Sequence, residues 1–144
     1  MGQQQLLLLV LSTVIVGLAT VAGIQAFSES QQQAAQDALV QRANSLASDI
    51  AAAANKPNQL GGVDLSESND NIANAIGLSS ASDIPAEGAG SDAACSITGG
   101  GSGTTATVNC GTTGATSGDV TVSVQVDESD EEDPVADPSI TVTS

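Results

Sequence analysis

Residues 6–27 read LLLLVLSTVIVGLATVAGIQAF, and the first ionisable side chain of the sequence, Glu29, comes only after them. Between Leu6 and Ile24 the apolar run is interrupted only by Ser12, Thr13, Gly17, Thr20 and Gly23. Coiled as a helix, this stretch is about 28 Å long, close to the thickness of a bilayer's hydrocarbon core. Three uses fit such a segment: a discarded export signal, a permanent anchor, or the inner strand of a polymer. A cleavable signal normally begins with basic residues, whereas Met-Gly-Gln-Gln-Gln precedes this run; Val21-Ala22-Gly23 supplies the small residues of a cleavage site. With no Lys or Arg on either flank, charge gives little guidance on orientation. The acidic remainder is expected outside the cell, with the apolar segment in a membrane for at least part of its life.

The sequence that follows sets the length of the helix. SESQQQAAQDALVQRANSLASDIAAAAN, residues 28–55, contains no Gly or Pro, and Pro57 is the first breaker. Ala35, Leu39, Ala43, Leu46, Ile50 and Ala53 recur at spacings of four and three, the stripe of an amphipathic helix. One helix of about 75–80 Å is expected from Gln3 to Asn55, apolar all round in its first half and on one side in its second. Its apolar face comprises Leu6, Leu7, Leu8, Leu9, Val10, Leu11, Val14, Ile15, Val16, Leu18, Val21, Ile24 and Phe27. Ala19 and Gly23, and likewise Ala22 and Ala26, lie four apart, a spacing that lets helices approach closely and is also ordinary in membrane spans. Gly17 and Gly23 are the expected points of loosening, each costing about 1 kcal/mol relative to Ala.

The 144-residue chain carries 17 acidic side chains against Arg42 and Lys56, a formal charge of −15. Nucleic acid and anionic lipid headgroups are poor partners for such a surface. The charge reads as solubility by self-repulsion or as adaptation to high salt, where carboxylates are screened. Beyond residues 6–27 little large apolar material remains, with one Phe and no Trp, Tyr or His. A thin core needs a crosslink or neighbours. Cys95 and Cys110, an even pair behind an export-type N-terminus, suggest a disulfide worth roughly 3 kcal/mol for a loop of about 15 residues. Two reduced thiols are the alternative, and zinc lacks the ligands to complete four.

Residues 56–93 read as a loop-rich connector with a short helix at Ser68–Ile76 whose Ile72, Ala73 and Ile76 face inward. Residues 94–144 turn to β texture, with strands expected at Ala94–Thr98, Thr104–Cys110, Asp119–Val126 and Ser139–Thr143. Alternation is clearest in Val120, Val122, Val124 and Val126, and again in Ile140 and Val142. The expected fold class is α+β: the long helix, then a small antiparallel sheet whose apolar face covers the stripe near Leu39–Ile50.

Chemistry finds little foothold. The acidic run 127–133, DESDEED, invites calcium, yet the spacing of a calcium loop and its central Gly are missing, and such runs are usually solvated loops. Gly101 to Ala106 fits G-x-G-x-x-A, but a β-like segment follows where a helix is required. No base and nucleophile stand in a recognisable pairing, so no catalytic, metal or cofactor residues are assigned.

A greasy-then-amphipathic N-terminal helix ahead of a small disulfide-closed β domain resembles the type IV pilins and their archaeal relatives. The segment GQQQLLLLVLSTVIVGLATVAGI looks like that family's assembly segment, and Gly2-Gln3 matches the pair at which the archaeal peptidase cuts. Where the family commonly carries a Glu near the start of the apolar block, this sequence has Gln3, Gln4 and Gln5, which can hydrogen-bond a terminus but not pair with it ionically. The usual basic leader does not precede Gly2, which leaves three options: an upstream leader already removed, a cut after Gly2, or no cut. The resemblance implies a structural subunit of an extracellular filament, with identical copies as partners and a membrane before assembly. It further implies an inner-membrane assembly machinery and a prepilin peptidase. A single-pass anchored, monomeric surface domain is the alternative. A filamentous phage coat fits less well, because such coats place lysines after the apolar block.

Overall fold

The computed structural model describes residues 2–99, 105–115, 119–126 and 136–141, with the backbone alone for residue 126 and residues 136–141. Helix α1 spans Gly2–Ala54, matching the helix expected from the absence of breakers. The chain divides into two compact units, Met1–Ala34 and Ala35–Ser144.

The first unit is helical throughout residues 2–34, and every described side chain in it is exposed. The hydroxyls that interrupt the apolar run turn back onto the helix. Ser12 Oγ donates to the Leu9 carbonyl at 2.9 Å, Thr13 Oγ1 to that of Val10 at 2.9 Å, and Thr20 Oγ1 to that of Gly17 at 2.8 Å. Bonded this way, they ask for no water, which suits an apolar surrounding.

In the second unit the C-terminal part of α1 supplies one wall of a core. Leu39, Ala43, Leu46, Ile50 and Ala53 are buried as the stripe predicts, Ala35 is half-buried, and Ala47 and Ala51 widen the covered face. The other wall is a five-stranded antiparallel meander in sequential order: β1 Ile84–Pro85, β2 Ala94–Gly99, β3 Thr105–Gly111, β4 Val120–Val126 and β5 Ala136–Thr141. Because side chains alternate along a strand, Cys95 and Ile97, then Ala106, Val108 and Cys110, then Val120, Val122 and Val124 share the buried face. Register aligns Ile97 with Val108 and Val108 with Val122, one row across three strands. On the other face, Thr121 donates to the Asn109 side-chain carbonyl at 3.0 Å, joining directly paired residues.

The connector contributes more than its loop-like composition suggests. Helix α2, Asn69–Ala75, buries Ile72 and Ala73 as expected, while Ile76 at its end is half-buried. Val63, Leu65, Ala81, Ile84, Ala86, Ala89 and Ala93 join the same core, and β1 falls in this segment. These are isolated apolar residues with neither a period of two nor of 3.6, so patterning gives no sign of them. Strand β5 begins at Ala136, three residues ahead of the expected start, and includes Pro138 paired with Val124. Pro is tolerated there because an edge strand has one unpaired side. The acidic run 127–133, Val142 and the glycine-rich residues 101–103 lie outside the described residues, as do the side chains of Val126 and Ile140.

Candidate assembly and membrane segment

The N-terminal half of α1 presents an apolar surface on all sides. The large apolar side chains from Leu6 to Phe27 keep between 51 % and 71 % of their surface exposed. Water around that much hydrocarbon is costly, at about 25 cal/mol per Å², so the segment calls for an apolar medium or an apolar partner. An 18-residue window of this helix has a mean hydropathy of 2.5 and no residue buried within the described residues. Length and composition together make it a candidate membrane span.

Shallow grooves mark this surface. One, of about 420 Å³, is lined by Thr20, Gly23, Ile24 and Phe27. These stand at positions i, i+3, i+4 and i+7, the four residues that form the hole for a knob from a facing helix. Another, of about 560 Å³, is lined by Gln3, Leu6, Leu7, Val10, Leu11 and Val14, and Leu7, Val10, Leu11 and Val14 repeat that spacing. A Cβ built on Gly17 or Gly23 meets no atom within 4 Å. Nothing among the described residues therefore requires glycine at either position, and α1 passes through both as regular helix. Ala19 and Ala22 are exposed on the same helix, as are Gly2 and Gln3, which lie in its first turn.

The amphipathic stripe serves a different purpose. Leu39, Ala43, Leu46 and Ile50 are covered by the second unit's own sheet and connector, so they anchor that domain and are not free for a partner. Cys95 and Cys110 form the expected disulfide between β2 and β3, with Cα atoms 4.0 Å apart in directly paired positions. Both cysteines are fully buried.

Among the described residues, no three His, Cys, Asp or Glu side chains gather as they would around a metal ion. Asp64 is held by a neighbour in its own loop. The Ser66 side chain, then the Ser66 backbone N–H donating at 2.8 Å, hold its pKa below the ordinary value. The lowered value gives a small, exposed contribution to stability that is present above the ordinary carboxylate range and lost as pH falls through the folded-state pKa.

Three features escaped the sequence. A Cβ on Gly62 would stand 1.8 Å from the Lys56 carbonyl oxygen, so this loop closes only around glycine. The outer edge of β2 is shielded by donation from Ile97 N–H to the Ala81 carbonyl at 2.8 Å and from Gly99 N–H to Asn69 Oδ1 at 2.8 Å. Arg42, on the half-buried border of the stripe, lines a cleft beside β1. The Gly61-Gly62 doublet was visible, but which glycine was indispensable depends on a contact across the loop. Comparison with family models, curated proteins and solved structures finds no match to this chain.

Proposed function

We propose that this chain is the structural subunit of an extracellular pilus-like filament, polymerising through a bundle of its N-terminal helices, with acidic outer domains facing solvent and no enzymatic activity. The observation that carries this reading is the unbroken helix α1. It continues from an exposed apolar half into a half covered by its own domain, where a simple anchor needs only the span and a linker. A surface of Leu, Val, Ile and Ala is solvated equally by lipid or by sister helices, so passage from membrane to bundle need not be costly. Dispersion contacts, small singly and large in sum, then hold the polymer. On this reading the partners are identical subunits, an inner-membrane assembly machinery, and a prepilin peptidase acting at Gly2-Gln3.

The second reading, a monomeric single-pass surface protein, is favoured by the apolar window alone. Gly23→Leu separates the two. The substitution makes the segment more apolar, so membrane insertion is retained, while it fills the groove beside Thr20, Ile24 and Phe27. Electron microscopy of material sheared from cells is expected to show thin fibres containing the wild-type chain and at least tenfold fewer with Gly23→Leu. Absence of wild-type fibres contradicts the filament and leaves the anchor.

A further inference from the structure

Arg42 is one of two cationic side chains in a chain of formal charge −15. Its Nε is buried and finds no hydrogen-bond partner among the described residues. Arg42 lines a cleft of about 440 Å³ together with Ala38, Gln41 and Ser45 of α1 and with Pro85 and Glu87. A buried donor left unbonded is costly, and more so on a charged group. An aliphatic side chain on the half-buried border of the stripe would avoid that cost, so packing does not account for arginine here.

We infer that the Arg42 cleft is a docking site for a carboxylate of a second copy of this chain. The inference rests on the filament reading and adds to it a polar contact between outer domains. The chemistry of the donors selects a carboxylate: the guanidinium offers a planar fork matched to two carboxylate oxygens. Gln41 and Ser45 stand one helical turn apart on the same face and supply further donors. Tethering selects the source. A free small anion enters the cleft only at its bulk concentration. A carboxylate of a neighbouring copy is brought there by the helices and benefits from a high effective concentration. Like-charged copies packed side by side gain most where one of their few cations meets an acid. Glu87 lines the same cleft and is the competing internal partner.

Zero-length carbodiimide coupling tests this contact. Fibres are reassembled from ¹⁵N-labelled Arg42→Lys subunits diluted into an excess of unlabelled wild type, so assembly does not depend on the variant. The carbodiimide activates a carboxyl group, the substituted amine attacks it, and an amide forms as the activating group leaves as a urea. The expected product is an amide joining position 42 of a labelled chain to an acidic residue of an unlabelled one, seen by mass spectrometry and absent from dispersed subunits. Coupling to Glu87 within the labelled chain alone, or no coupling at position 42, overturns the inference. In parallel, fibres of Arg42→Gln with an intact disulfide and unchanged circular dichroism are expected to dissociate at lower detergent concentration than wild type. An unchanged dissociation midpoint also overturns it. Failure of the wild-type chain to form fibres at all is a different result, which removes the filament reading itself.

Discussion

Gly62 shows how one missing methyl group fixes a turn. Its place after α1 puts the hydrogen atom of Gly62 where a side chain would collide with Lys56 backbone atoms, at 1.8 Å from the oxygen and 2.6 Å from the carbon. Backbone cannot step aside as a flexible side chain can. The surrounding loop is closed by donation from Gly62 N–H to the Pro57 carbonyl at 3.2 Å and from Val63 N–H to that of Ala53 at 3.3 Å. Gly62→Ala is therefore expected to destabilise the second unit by about 1–3 kcal/mol, lowering its melting temperature by about 4–8 °C per kcal/mol for a domain near this size. An unchanged melt would contradict that close approach. Gly17 and Gly23 behave oppositely at this scale. Their Cβ positions open onto free space, so alanine there is expected to strengthen the isolated helix.

At the scale of elements, the helix and the central strands were readable and the edges were not. The stripe from Leu39 to Ile50 repeats at the helical period, and Val120, Val122 and Val124 alternate, because each element buries one continuous face. Strand β1 is two residues long and pairs only Ile84 with Cys95 and Pro85 with Ala94, too short for any period to show. Protection of the rest of β2 comes from Asn69 and Ala81, residues far away in sequence, and no local pattern announces such a partner. The start of β5 lies three residues ahead of the expected one because Asp and Pro carry no strand pattern, yet an edge strand accepts Pro. The disulfide ties the two strands that hold the middle of this sheet. Replacing both Cys95 and Cys110 by Ala is expected to cost about 3 kcal/mol, read as a lower denaturation midpoint. With both cysteines fully buried, reductant alone should leave the native bond intact until denaturant is added. Coincident unfolding curves for the oxidised protein and the double variant would contradict this.

At the scale of the whole molecule, two properties of opposite character must be reconciled: an apolar segment from Leu6 to Phe27 and a formal charge of −15 on the chain. The first was legible because composition alone marks it. The Arg42 cleft was not, because it depends on which border of the stripe β1 happens to meet. Self-repulsion among acidic domains opposes packing, and salt relieves it, since the screening length shortens to about 3 Å at 1 M. Fibres are accordingly best sought in molar salt. The most direct measurement is a high-resolution electron cryo-microscopy reconstruction of material sheared from cells into such a buffer. The account predicts a fibre whose axis is filled by residues 6–27 of many copies, with a neighbour's side chain seated in the groove at Gly23. A lone subunit whose residues 6–27 contact only lipid or detergent would contradict it.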